Sequence, residues 1–79
     1  MNIEIRMPRL SSNMKSGVLT SWNKVPGERV HKGDVLFEVE TDKVISEVES
    51  PEEGVLGKVF FHEGDDALVD EIVAVMVCE

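Results

Sequence analysis

Residues 35–49 read VLFEVETDKVISEVE. Val35, Phe37 and Val39 alternate with Leu36, Glu38 and Glu40, and VISEVE (44–49) alternates in the same way. A period of two puts successive side chains on opposite faces of a strand. The two runs meet at Asp42 and Lys43, which suits a two-residue hairpin turn. With that turn, Thr41 faces Val44, Val39 faces Ser46, Phe37 faces Val48 and Val35 faces Ser50. This face is mostly apolar and should point inward. Glu40 then faces Ile45, Glu38 faces Glu47 and Leu36 faces Glu49 on an acidic, wet face. A slip of one residue would bury glutamates, so the register is well specified. Glu38 opposite Glu47 is a like-charge pair that costs ~0.2–1 kcal/mol. Neither central residue is glycine, so Asp-Lys predicts a type I turn, in place of the primed turn that Asn-Gly or Asp-Gly would form.

The rest of the chain has the same period. Ile3, Ile5 and Met7 alternate with Glu4 and Arg6. GVLTSWNKV (17–25), GVLGKVFFH (54–62) and IVAVMVC (72–78) are further β-type runs, and brief strands are expected near Val30 and Val69. Turn-forming clusters separate them: SSNMKSG, PGE, KGD, SPEEG and EGDD. No window carries a 3.6-residue apolar stripe, so the chain reads as all-β. A gapless offset of 37 residues superposes GVL (17–19) on GVL (54–56) and Gly27 on Gly64. It also pairs Glu28 with Asp65, Asp34 with Glu71, Val35 with Ile72, Leu36 with Val73 and Val39 with Met76. Two copies are too few for a solenoid. Two similar β-rich halves predict two facing sheets around one core, with approximate two-fold symmetry. That symmetry puts the 41–44 turn and the chain termini at opposite ends.

Seventy-nine residues make one domain with a small core and no visible staple. A lone cysteine, Cys78, allows no intrachain disulfide, and with His31 and His62 it lacks zinc-site spacing. A reducing, intracellular location is expected. The start MNIEIRMP has no apolar signal region, and IVAVMVC is too short to span a bilayer. The formal charge is −8, and thirteen acidic residues between Glu38 and Glu79 face only Lys43 and Lys58. That balance argues against nucleic acid and anionic membranes as partners. It favours solubility, with steering toward a basic surface as the sharper reading.

Lys43 is the residue whose chemistry needs deciding. On an exposed turn its amine stays protonated and is a poor nucleophile, since catalytic lysines need burial or a second cation. It is instead well placed to be acylated by another enzyme. Trp22 is expected at the core or its rim, and Met1, Met7 and Met14 as gap-filling side chains. Cys78 reads as a small buried hydrophobe, His31 and His62 as solvated turn residues, and EGDD as turn chemistry.

The whole chain resembles the lipoyl domains of 2-oxo acid dehydrogenase complexes, the N-terminal segments of dihydrolipoamide acyltransferases. The resemblance rests on IEIRMPRLS, GVL (17–19), PGERVHKGDVLFEVETDKV (26–44), VESPEEGVLGKV (48–59) and HEGDDALVD (62–70). It implies a flattened barrel, a sandwich of two four-stranded antiparallel sheets with the modified lysine at a hairpin tip. It also implies that residues 1–79 are the N-terminal domain of a longer chain. Lys43 would carry lipoate as an amide, with Thr41, Asp42 and Val44 read by the lipoate ligase or lipoyl transferase. Gly33 would help position the tip, and Gly27, Gly54 and Gly64 would be structural turn glycines. The loop RLSSNMKS (9–16), with Ser11, Ser12, Asn13 and Met14, would lie near the hairpin and touch the thiamin-dependent decarboxylase. Glu38, Glu40 and Glu47 would be further partner contacts. The arm would serve that decarboxylase, the acyltransferase core and dihydrolipoyl dehydrogenase, as in pyruvate dehydrogenase, while the monomeric domain catalyses nothing and binds no metal. The location implied is cytoplasmic in bacteria or the mitochondrial matrix in eukaryotes.

Two other readings stand beside this one. A biotin carrier shares the fold, but biotin acceptors flank the lysine with methionines where Asp42 and Val44 stand here. A non-covalent β-barrel adaptor would use the acidic face alone. Asp70 stands where the family pattern has glycine, and Ala67 where it has valine, so a small loss of stability is expected.

Overall fold

The alternating runs become eight strands in the computed structural model, which describes residues 1–78. They are β1 (Asn2–Arg6), β2 (Ser16–Trp22), β3 (Arg29–Val30), β4 (Val35–Thr41), β5 (Val44–Glu49), β6 (Gly54–Val59), β7 (Asp66–Leu68) and β8 (Ile72–Cys78). One sheet has the order β1-β8-β6-β3 and the other β5-β4-β2-β7. Every pairing is antiparallel. No helix occurs among the described residues, and the fold is two facing sheets, not a closed barrel.

The 37-residue repeat maps one sheet onto the other. Added to β2, β3 and β4, the offset lands on β6, β7 and β8. Phe37, Leu19, Val39 and Leu36 from one half close over Leu56, Met76 and Val73 from the other, all fully buried. Trp22 caps this core, its ring 5.0 Å from Phe37 and its Nε1–H donated to the Phe61 carbonyl at 2.9 Å. Met7 and Met14 are buried as expected, whereas Met1 is exposed at the surface.

The hairpin follows the predicted register from Thr41–Val44 to Phe37–Val48. Below that the prediction fails. A bulge at Leu36 brings Val35 opposite Glu49, not Ser50, and turns Leu36 inward, where it is fully buried. A bulge adds a residue to one strand and so resets the alternation, allowing consecutive side chains to share a face. Its two-fold counterpart breaks the β1–β8 register at Val73, where Val73 and Ala74 are both buried.

Four turns share one construction. In Val25–Glu28, His31–Asp34, His62–Asp65 and Leu68–Glu71, the fourth residue's N–H donates to the first residue's carbonyl at 3.0 Å. The fourth side-chain carboxylate accepts the first residue's N–H, at 3.1, 2.9, 2.8 and 2.7 Å in that order. The third residue has positive φ: 92° at Gly27, 93° at Gly33, 93° at Gly64 and 73° at Asp70. A positive φ there marks a type II turn and favours glycine. Gly54 does not belong to this set. It opens β6, and a Cβ there would collide with the Val77 carbonyl of the neighbouring strand. It is a close-approach glycine, not the turn glycine that was expected.

Candidate functional site

Lys43 sits between β4 and β5 at the hairpin tip, exposed, and its amine has no partner among the described residues. The turn departs from expectation. Asp42 and Lys43 have φ of 47° and 66°. Positive φ at both central residues belongs to a type I′ turn, not type I. The cause is strand twist: primed turns match the right-handed twist of the flanking strands, and type I turns splay them. Six registered pairs hold the hairpin shut, so its turn accepts left-handed backbone at two non-glycine residues. Asp tolerates that region and Lys does so less readily, so strain falls on the residue that stands furthest out.

The tip lies far from the termini. β5 runs from Val44 down to Glu49, and the next residue, Ser50, has its hydroxyl oxygen 3.4 Å from Met76 Sδ. Two residues on, Cys78 exchanges hydrogen bonds with Met1: Cys78 N–H to the Met1 carbonyl at 2.6 Å, and the Met1 amine to the Cys78 carbonyl at 2.9 Å. The chain ends therefore occupy the base of an envelope 35 Å long and 20 Å across.

The tip is flanked by unlike surfaces. Val44 and Ile45 are 59% and 57% exposed, giving the β5 side an apolar shoulder. Val44 was expected on the inward face, but the hairpin end projects past the core. The other side is a cleft of about 320 Å³ between the 11–18 segment and Glu40, Thr41 and Asp42, with Asp66 at its edge. The predicted approach of the 9–16 loop to the hairpin is thus present, and Ser11, Asn13 and Met14 line the cleft. Arg9 Nη1–H donates to the Met14 carbonyl at 2.7 Å, and Leu10 N–H to Met14 Sδ at 3.2 Å, so buried Met14 anchors the loop. Ser12 is exposed on the loop and does not line the cleft.

The acidic candidates lie together. Glu40 pairs across the sheet with Val18 and Ile45, and Glu38 with Ser21 and Glu47, on the outer face of the lysine-bearing sheet. The predicted like-charge pair Glu38–Glu47 is present in register. Gly33 is remote from the tip: its N–H donates to the Ser50 carbonyl at the base of β5, at 2.9 Å. The cleft itself was not read from the sequence, because Asp66 and the 11–18 segment meet the hairpin only through the β2–β4 and β2–β7 pairings.

Residues 3–76 match the Biotin_lipoyl family, described as biotin-requiring enzyme. The lipoyl domain of the Azotobacter vinelandii 2-oxoglutarate dehydrogenase complex superposes with a TM-score of 0.79 at 32% identity, covering 95% of both chains. The chain is a lipoyl domain. Among curated relatives it is 39% identical over 72 residues to the Cupriavidus necator dihydrolipoyllysine-residue succinyltransferase component of the 2-oxoglutarate dehydrogenase complex. It is 42% identical over 77 residues to the Zymomonas mobilis dihydrolipoyllysine-residue acetyltransferase component of the pyruvate dehydrogenase complex. These alignments take in 91% and 96% of this lipoyl domain but only 17% and 18% of the relatives. Lipoyl carriage is therefore the function of this fold unit, and the biotin alternative is less supported.

Proposed function

We propose that Lys43 carries lipoate as an amide and that the domain ferries acyl groups and electrons between separate active sites of a 2-oxo acid dehydrogenase complex. The observation that carries this reading is the partnerless Lys43 amine at the tip of a closed two-residue hairpin, at the end opposite the termini. The residues present fit such an arm: an exposed primary amine for the amide bond, a cleft on one side of it, and no partner for that amine among the described residues. When bound, lipoate supplies a dithiolane that accepts an acyl group together with two electrons. The protein's part is mechanical. β4 and β5 hold Lys43 at a fixed height, the type I′ turn fixes its direction, and the far-end termini leave room for a tether.

Thr41, Asp42 and Val44 are the positions a lipoate ligase or lipoyl transferase would read. The loop residues Ser11, Ser12, Asn13 and Met14, with Glu38, Glu40 and Glu47, are the surface offered to a thiamin-dependent decarboxylase. The acyltransferase core and dihydrolipoyl dehydrogenase would complete the cycle, in the cytoplasm or the mitochondrial matrix, with this domain at the N-terminal end of the acyltransferase chain. The domain contributes no catalytic group of its own to this scheme.

The test is the intact mass after co-expression with a lipoate ligase and lipoate. A gain of one lipoyl group is expected, and its loss in Lys43→Ala. A folded wild-type domain that gains no mass overturns the proposal, and a biotin-sized gain would replace it with the biotin carrier.

A further inference from the structure

The cleft beside Lys43 is more than a gap between a loop and a hairpin. Its hairpin wall is Glu40, Thr41 and Asp42, so whatever Lys43 carries is tethered one residue from the rim. Its volume of about 320 Å³ lies within the range of small-ligand sites. It is preformed: the Arg9 and Leu10 hydrogen bonds pin Met14, and Met14 packs over Gly17. A Cβ at Gly17 would come within 2.5 Å of Val39 Cγ1, 3.1 Å of Met14 Cε and 3.3 Å of Thr41 Cγ2, so a larger residue there would press on the core behind the cleft.

The lining offers hydrogen-bonding side chains to an amide and one accessible apolar side chain, Val18, to an aliphatic stem. The side chains of Ser11, Asn13 and Ser16 have no hydrogen-bond partner among the described residues and are available to an amide. Val18 offers apolar contact, while Met14 is buried with its sulfur engaged by the Leu10 N–H. The charge is lopsided: Glu40, Asp42 and Asp66 stand against Lys15 alone, none of them in an ion pair within the described residues. An uncharged group meets no charge repulsion in such a cleft, whereas a further carboxylate meets three of its own sign.

We propose that this cleft is a resting site for the arm borne by Lys43. It accepts the arm when its sulfur end is uncharged and expels it when that end carries a carboxylate. Resting on the lipoyl reading above, this sets apart neutral acyl groups such as acetyl from dicarboxylic ones such as succinyl.

The experiment uses the lipoylated, 15N-labelled domain in a Cys78→Ala background, so that only the arm's thiols react. The dithiolane is reduced and both thiols are capped, with iodoacetamide in one sample and iodoacetate in the other. The caps are nearly equal in size and differ in charge. The neutral cap should shift the amide resonances of Asn13, Lys15, Ser16 and Val18. The carboxymethyl cap should lose those shifts while still perturbing residues 42–44. Asp66→Lys, which removes a partnerless carboxylate, should restore the shifts for the carboxymethyl arm. Shifts confined to residues 42–44 with both caps would overturn the resting site. Equal cleft shifts with both caps, or no restoration by Asp66→Lys, would overturn its charge selection. Failure of the lipoyl mass gain would instead overturn the proposed function, so the two are told apart.

Discussion

Replacing Asp70 with glycine should stabilise the domain. Four equivalent turns need a left-handed third residue, and three of them have glycine, at φ of 92° or 93°. Asp70 adopts 73°. A non-glycine residue there costs roughly 1–2 kcal/mol, with Asp at the low end because its short polar side chain tolerates the region. Glycine returns part of this by giving the unfolded chain about 0.4–1 kcal/mol more entropy to lose. Nothing else is forfeited. The Asp70 carboxylate has no partner among the described residues. The contacts of this residue are backbone ones: its N–H donates to the Met7 carbonyl at 2.9 Å, and its carbonyl accepts Arg6 Nη1–H at 2.8 Å. The net gain should be about 0.5–1 kcal/mol, which raises Tm by roughly 2–8 °C in a domain of this size. Thermal unfolding followed by circular dichroism measures it.

The symmetry provides the mirror experiment. Gly33 is the counterpart of Asp70, and a Cβ at Gly33 meets nothing within 4 Å. Gly33→Ala therefore isolates the conformational cost and should destabilise by about 1–2 kcal/mol. If Asp70→Gly lowers Tm while Gly33→Ala behaves as stated, the strain argument is wrong at Asp70 and its side chain stabilises the fold.

Asp42→Asn with Lys43→Gly converts the tip to Asn-Gly, the preferred type I′ sequence. It should gain about 1–2 kcal/mol in urea unfolding and show no lipoyl mass gain. Gly54→Ala drives a methyl into the Val77 carbonyl and should cost about 2–3 kcal/mol, read as a lower urea midpoint. The Asp34 carboxyl is held below its ordinary range, first by the His31 N–H bond to it and further by the Lys24 charge, with partial burial opposing. A depressed folded pKa means stability that is present above the unfolded value near 3.9 and is lost as pH falls through the folded one. Asp34→Asn keeps an acceptor for the His31 N–H and should flatten the stability–pH curve below about pH 4.

The repeat was the most legible feature of the sequence. An offset read from GVL, two glycines and a few apolar pairs lands on three strand pairs. It holds because both halves must bury the same side of the same pleat. The bulges were harder to see. VLFEVE satisfies simple alternation, which hides Leu36 among the outward residues. The signal lay in the repeat itself: Leu36–Phe37 aligns with Val73–Ala74, two consecutive apolar residues at one position in both halves. The turn type differs from the sequence expectation because residue preference points to type I, while the twist of six paired rungs imposes the primed form. The cleft had no local signal, since Asp66 reaches the hairpin only through β2.

The acidic residues divide by what they do. Glu28, Asp34, Asp65 and Glu71 cap turns. Glu4 pairs with Arg6, Glu53 with Arg29, and Glu63 accepts the Trp22 N–H. Eight have no side-chain partner among the described residues: Glu52 and Asp70 lie in connecting segments, Asp42 at the hairpin turn, and Glu38, Glu40, Glu47, Glu49 and Asp66 on strands of the lysine-bearing sheet. The two-fold repeat tests whether the fold needs them there. On the opposite sheet, Val75 stands in the place of Glu38, Val77 in that of Glu40, Arg29 in that of Asp66 and Arg6 in that of Glu49. The same pleat is thus built there from valine and arginine at four of these places, and Glu4 keeps the acid only at the place of Glu47. Even the pair Glu38–Glu47, which costs ~0.2–1 kcal/mol, becomes Val75–Glu4 across the symmetry. Sheet formation therefore does not account for the charge around Lys43. Under the proposed carrier role, in which other proteins meet the lysine-bearing end repeatedly, that charge has a use through steering at encounter and exclusion of acidic partners.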